Sequence, residues 1–327
     1  MLRKIWLIIL SSLLLGGAVL CTIRWKAWFG NPPEPKWEGD TIQVSFNTFA
    51  NEQTLQRLQK DTLQFILFGD IHNGVDSSDF ALLAARCPNI DFYAQLGDWM
   101  ERPYFYYEQM LYHAIVGTGF DTLPVIAVPG NHEHRKGIIK HLPAHWKTIF
   151  PNPTNGPARF SGTTYLVDFP HLRILTINTD GLQRLSDYTR VGFWLKQSLI
   201  NAKDKHTIVL MHHPVFSTAQ GRQNPLIWLS FYGILREADI VFSGHDHNYA
   251  RRIVEYKERF WVKQQPTLFI GTNTSKKMYA VKENVNYECS FSGEPVYEYV
   301  VVTQDTLSVR TYKLHSGELI DEVKIPQ

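Results

Sequence analysis

Phe65-Ile66-Leu67-Phe68-Gly69-Asp70-Ile71-His72 sets the pattern of this chain. Four apolar residues in a row suit a strand buried on both faces, and here they end on a glycine followed by a carboxylate and an imidazole. The pattern returns at Phe92-Tyr93-Ala94-Gln95-Leu96, which leads into Gly97-Asp98, and at Val125-Ile126-Ala127-Val128, which leads through Pro129 into Gly130-Asn131-His132-Glu133. Ile208-Val209-Leu210-Met211 runs into His212-His213-Pro214, and Ile240-Val241-Phe242-Ser243 into Gly244-His245-Asp246-His247. Helix-type segments fit between the runs at 79–86, 106–115, 191–202 and 226–237. Alternating strand and helix predicts an α/β fold, and in such sheets ligands bind beyond the carboxyl ends of the strands. Every block of ligand-type side chains falls at such an end. The glycines let the backbone turn tightly where those side chains must converge.

The last part of the chain reads differently. Residues 297–303, 306–314 and 318–325 are successive strands with tight turns at Gln304-Asp305 and Ser316-Gly317, and 165–169 with 173–177 form another hairpin. Hairpins added to an α/β unit predict two packed sheets flanked by helices.

Carboxylate, amide and imidazole donors in one set suit Fe, Mn or Zn better than ions that prefer thiolate. Two such ions about 3.5–4 Å apart can share a carboxylate and a hydroxide, which is a strong nucleophile at neutral pH. A single histidine is usually a surface or satisfied core residue, and His113, His141, His145, His171, His206 and His315 take that reading. An aspartate just after a strand is often only a turn residue. The repeated blocks reverse those readings for Asp70, His72, Asp98, Asn131, His212, His245 and His247.

In order and composition these blocks resemble the calcineurin-like metallophosphoesterase superfamily, over about residues 62–275. The resemblance implies a four-layer α/β/β/α double β-sandwich; the uncharged stretch of residues 5–23 predicts an N-terminal transmembrane helix before it. The resemblance also implies that Asp70, His72 and His247 bind one metal, that Asn131, His212 and His245 bind the other, and that Asp98 bridges them. His132 would contact the phosphate and help the leaving oxygen accept a proton while the bridging hydroxide attacks phosphorus in line. Gly244 to Arg251 also resembles the last block of purple acid phosphatases, but Glu101 stands where that group has a metal-binding Tyr, so no purple chromophore is expected. Asp98-Trp99-Met100-Glu101-Arg102 is similar to a stretch of the protein serine/threonine phosphatases whose Arg grips phosphate. Arg102, His213, Tyr249 and Arg251 are therefore substrate-binding candidates. Glu133 is expected to hold neighbouring groups in place, and Asp246 to point away from the ions. The expected activity is hydrolysis of phosphoric esters, monoesters before diesters. The alternative is a non-catalytic metal-binding scaffold protein with the same fold, which loss of a ligand would announce; none of the seven is missing.

Composition narrows the partners. The chain of 327 residues has a net charge of +2. Residues 1–39 hold five basic and two acidic side chains, a net of +3, which leaves −1 for the remainder. A near-neutral catalytic part is not built for nucleic acid. The expected partner is a small phosphate ester or a lipid-linked phosphate. Tyr104, Phe105, Tyr106, Trp146, Phe216 and Trp228 lie in the loops that would line its site, and each has a core reading as well.

Residues 5–23 carry no charge between Arg3-Lys4 and Arg24. That length matches a bilayer core of about 30 Å, so residues 1–26 read as a membrane anchor, or alternatively as a cleaved signal. Pro-rich residues 27–39 read as a linker and 40–327 as the catalytic domain. The expected location is membrane-anchored with the catalytic domain outside the cytoplasm, or secreted or periplasmic after cleavage. Cys87 and Cys289 are either a bridge or two unpaired thiols, and Asn273-Thr274-Ser275 has the form of a glycosylation sequon.

Overall fold

The computed structural model describes residues 33–137, 140–255, 266–283 and 285–327. The anchor or signal read at residues 1–26 and the first part of the linker lie outside the described residues. Among the described residues no helix is long and apolar enough to cross a membrane.

The apolar runs form strands. β1 (Leu63–Phe68), β2 (Phe92–Gln95) and β3 (Val125–Ala127) are parallel neighbours. β4 (Leu166–Asp168) and β5 (Leu172–Ile177) form a hairpin, and β5 is followed by parallel partners β6 (His206–Met211) and β7 (Ile240–Ser243). β8 (Tyr249–Val254) returns antiparallel to β9 (Thr267–Gly271), which itself lies parallel to β7, and β10 (Cys289–Phe291) adds to the edge at β8. β11 (Val296–Val302), β12 (Thr306–Lys313) and β13 (Leu319–Pro326) form an antiparallel meander. The result is two sheets, ordered β13-β12-β11-β1-β2-β3 and β10-β8-β9-β7-β6-β5-β4.

Strand alternation explains why both sheets are covered on both faces. Phe65, Leu67, Ile208, Leu210, Ile240 and Phe242 point into one cluster between the sheets. Their neighbours Ile66 and Phe68 face outward onto Phe80 and Leu83 of α2 (Ser77–Arg86) and Leu111 and Ile115 of α3 (Phe105–Ile115). On the opposite side Val209, Met211 and Val241 meet Val191 and Leu195 of α5 (Leu185–Ile200) and Phe231 and Leu235 of α6 (Pro225–Leu235). The short α1 (Glu52–Arg57) and α4 (Trp146–Ile149) have no counterpart in the sequence reading. Local chemistry starts the helices where the site needs the chain to turn. Asp76 caps α2 by accepting the N–H groups of Ser78 and Asp79, and Asn224 caps α6 with Pro225 in its first turn.

The two thiols do not meet. Cys87 is buried beyond the end of α2, whereas Cys289 lies in β10 with its Sγ toward the Ile320 carbonyl. Asn273 is no glycosylation acceptor in this fold, because it is buried and its amide donates to the carbonyls of Ser275 and Lys277.

Candidate metal centre

All five blocks meet at one place, beyond the ends of β1, β2 and β3 in one sheet and β6 and β7 in the other. Backbone conformation marks the place. Six non-glycine residues among those described have positive φ: Asp70, His72, Asn73, Asp98, His245 and His247. Five of these are candidate ligands. The left-handed region costs an L-residue about 1–2 kcal/mol, with Asp, Asn and His the types that visit it most readily among the non-glycines. The motif glycines supply room. Gly97 is itself left-handed, with φ of 91°, and a Cβ there would lie 2.6 Å from the Gly130 backbone. A Cβ on Gly130 would stand 2.3 Å from Asp98 Oδ1, and one on Gly244 would stand 2.4 Å from Asp70 Oδ2.

Asp70 and Asp98 are both buried. Asp70 Oδ2 accepts the His245 N–H at 2.8 Å, while Oδ1 has no hydrogen-bond partner and lies 4.0 and 3.7 Å from Nε2 of His72 and His247. Asp98 Oδ1 accepts the His132 N–H at 2.8 Å. Asp98 Oδ2 lies 3.5 Å from His72 Nε2 and 3.3 Å from His212 Nε2, between the two expected ligand sets. Asn131 Oδ1 is 3.1 Å from His212 Nε2, and His245 Nδ1 is 3.3 Å from the same atom. Two donors at about 2.1 Å from one ion stand roughly 3.0–3.4 Å apart at ordinary coordination angles, so this spacing and the partnerless Asp70 oxygen fit metal ions.

The imidazoles are oriented from behind. His212 Nδ1 donates to the Leu96 carbonyl at 2.8 Å, His247 Nδ1 to the Lys277 carbonyl at 3.1 Å and His132 Nδ1 to the Glu101 carbonyl at 2.6 Å. His72 Nδ1 lies 3.2 Å from Glu101 Oε2. In each case Nε2 is left to face the centre, which is how ligating histidines are usually held. Glu101, where a metal-binding Tyr is absent, thus stands behind the candidate ligand His72. Glu133 gathers the N–H groups of Asp98, Met100 and Gly130 at 2.8, 3.0 and 2.7 Å, which shapes the loop that carries Asp98.

Electrostatics follow from this crowding. Burial pushes Asp70 well above the usual carboxylate range, and the Asp98 charge adds to it. Burial acts on Asp98 in the same sense, but His212, His132 and His72 outweigh it and hold that carboxyl well below the usual range. Burial and the Asp98 charge push Glu133 up to about 7. His212 is raised to about 10 because Asp98 and Asp70 overcome its burial. Burial and His212 bring His213 down to about 3, so it is neutral. A cation that enters such a centre displaces protons from its ligands.

The substrate-binding candidates divide. His213 lies beside the centre, its ring 4.3 Å from that of His245 and its Nδ1 2.9 Å from the Thr179 hydroxyl. Arg102 is half-buried in the loop after β2 and, among the described residues, makes no hydrogen bond or ion pair to a candidate ligand. Tyr249 and Arg251, expected at the mouth, are not there. They belong to β8, and as residues two apart they share a face. Both meet Asp321 of β13: the Tyr249 hydroxyl donates at 2.7 Å, and Arg251 makes a two-pronged contact at 2.6 and 3.0 Å. Of the loop aromatics, Tyr104 and Trp146 are core, whereas Phe105 and Trp228 remain exposed. Sequence reasoning missed Arg222, whose Nη2 lies 3.0 Å from His245 Nε2; a lone arginine in an unpatterned loop gives no signal of it.

Residues 63–249, from the first residue of β1 into β8, match the model of the calcineurin-like phosphoesterase family. The chain belongs to the calcineurin-like phosphoesterase family. The family is one of metallophosphoesterases, and the His and Asp groups gathered here could hold metal. Among curated relatives of this calcineurin-like phosphoesterase, a glycerophosphodiester phosphodiesterase, GpdQ, from Enterobacter lignolyticus is 27% identical over 135 residues, covering 38% of this chain and 45% of the relative. The chain thus spans about half the length of the curated relative that it matches. Purple acid phosphatase PPD1 from yellow lupin superposes with a TM-score of 0.63 at 16% identity, over 82% of this chain and 54% of that one. GAP50, the anchor in the inner membrane complex of Plasmodium, superposes with a TM-score of 0.58 at 15% identity, over 82% and 89%. At such identities the two structures share the fold.

Proposed function

We propose that this calcineurin-like phosphoesterase is a dimetal hydrolase of phosphoric esters that acts chiefly on monoesters. The observation that carries the reading is the convergence of Asp70, His72, Asp98, Asn131, His212, His245 and His247, with three of the four imidazoles turned so that Nε2 faces the others. Asp70, His72 and His247 would hold one ion, Asn131, His212 and His245 a second, and Asp98 both. Fe, Mn and Zn suit the donors. Bound there, the ions supply an activated water for in-line attack and neutralise charge on the phosphoryl group.

The protein groups do the rest. His132 is the most exposed imidazole of those clustered around Asp98, with 26% of its side chain accessible. Its Nδ1 is committed to the Glu101 carbonyl, so Nε2 is free to touch the phosphoryl group and pass a proton to the leaving oxygen. Neutral His213, steadied by Thr179, lines the same side as His245. The diester reading is favoured by the match to a relative named as a glycerophosphodiester phosphodiesterase. Residues 5–23 support a membrane-held enzyme with its centre outside the cytoplasm; membrane fractionation with and without an alkaline wash tests that tether.

Activity is tested by incubating the chain with Mn, Fe or Zn and assaying p-nitrophenyl phosphate beside bis(p-nitrophenyl) phosphate. Faster cleavage of the monoester is expected. Preferential cleavage of the bis-ester would move the function to a phosphodiesterase. Full metal loading with neither ester cleaved would move it to the scaffold.

A further inference from the structure

The loop between β6 and α6 brings a guanidinium to the metal centre. Arg222 Nη2 donates to the His245 backbone carbonyl at 2.7 Å and lies 3.1 and 3.0 Å from that residue's Nδ1 and Nε2. Its Nε stands 3.4 Å from Asp246 Oδ1. On the other side the guanidinium covers the Tyr279 ring, 5.0 Å from its centroid, and Tyr279 in turn packs against the His247 ring. Arg222 is thus wedged between residues that flank two ligands, with 27% of its side chain still accessible.

The surrounding loop fixes it there. Asp246, between ligands His245 and His247, turns away from the centre and accepts the N–H groups of Thr218 and Ala219. The Thr218 carbonyl accepts the Lys282 N–H at 2.8 Å, and a bridge joins Ala219 to Val281. Gly221, with φ of 76°, then turns the chain so that Arg222 points back to His245. One motif therefore positions both the metal-binding histidines and the arginine.

A guanidinium stays charged at every working pH. Asp246 matches this charge in part, and beside a site for two cations a bound anion would be drawn to the guanidinium as well. Its planar donors match phosphate oxygens. A monoester dianion carries one more negative charge than a diester, so a third cation favours it more. We propose that Arg222 grips a non-bridging oxygen of the bound phosphoryl group on the His245 side, and so biases the site toward phosphomonoesters. This inference rests on the reading of the centre as a dimetal phosphoester hydrolase.

The test compares wild-type chain with Arg222→Gln and Arg222→Lys, all metal-loaded. Bound metal is counted by elemental analysis, inorganic phosphate is titrated by calorimetry, and the two nitrophenyl esters are assayed. Arg222→Gln is expected to keep its metal, to weaken phosphate binding at least about tenfold and to lower the monoester-to-diester ratio of kcat/KM by a similar factor, with Arg222→Lys between. Unchanged phosphate affinity and ratio in Arg222→Gln, beside a wild type that binds phosphate, would overturn the role of Arg222 alone. Loss of metal in both variants would make Arg222 a support for His245 and overturn the inference too. A metal-loaded wild type that neither binds phosphate nor cleaves either ester would sink the underlying reading, and this one with it.

Discussion

Two polar clusters, one buried at the strand ends and one largely buried between the sheets, use their carboxylates in opposite ways. At the strand ends Asp70, His72, Asp98, His245 and His247 all sit on left-handed backbone, and Asp70 Oδ1 lacks a hydrogen-bond partner. Between the sheets Asp321 of β13 is matched by both Arg251 and Tyr249 of β8, none of them on left-handed backbone. Buried polar groups cost free energy unless they are partnered, and backbone strain persists only where the surroundings enforce it. The first cluster is therefore costly to the bare fold, as the proposed metal centre would be before its ions enter. The second returns its cost within the fold.

The largest expected effect falls at the strand ends. Asp70→Asn keeps an oxygen for the His245 N–H and tolerates the left-handed backbone, but removes a charge that burial penalises. Activity should fall about a thousandfold, while the metal-free protein at pH 8 unfolds at a higher urea concentration than the wild type. A parallel loss of stability and activity would erase the contrast between the clusters.

Asp321→Ala should do the reverse. It leaves Arg251 and Tyr249 without their partner and should cost about 3 kcal/mol, with kcat of the folded fraction unchanged. A large fall in kcat at full folding would return Tyr249 and Arg251 to the mouth of the site.

Glu298 on β11 adds a buried carboxyl near Tyr249. It is fully buried, and burial pushes its carboxyl up to about 8. Because the folded pKa exceeds the unfolded one, the folded state holds a proton that the unfolded state has released at neutral pH. Its contribution is greatest below the unfolded pKa of 4.5 and is lost as pH rises toward 8. Between pH 6 and 8 stability should drop by roughly 2 kcal/mol, and Glu298→Gln should flatten that slope. Equal slopes in chemical melts of the two proteins would show that Glu298 is not the protonated group.

The smallest effect concerns orientation. Glu101 touches His72 from behind, so Glu101→Gln should weaken metal affinity about tenfold and leave folding stability within about 0.5 kcal/mol. A metal titration with a chelator as competitor reads it.

Much of this was legible because it is local. Runs such as Phe65 to Phe68 are short, apolar at every position and closed by a glycine, which suits a strand between two covered faces, and the hairpins added to them predict two packed sheets. The ligand blocks were legible because each couples a glycine to a donor just past a strand. Tyr249 and Arg251 misled because they follow the last ligand block directly. Their strand alternation was visible in Tyr249 to Val254, but their partner Asp321 is 70 residues away in sequence from Arg251. Arg222 was illegible for the same reason: its place depends on Asp246 and Tyr279, which only the folded chain brings to it.

The most direct measurement is the number of metal ions retained per chain after loading with Mn and gel filtration, for wild type and Asp98→Asn. The account predicts two ions in the wild type and at most one in the variant, since Asp98 lies between both ligand sets. Two ions in both proteins, or none in a folded wild type, would contradict it.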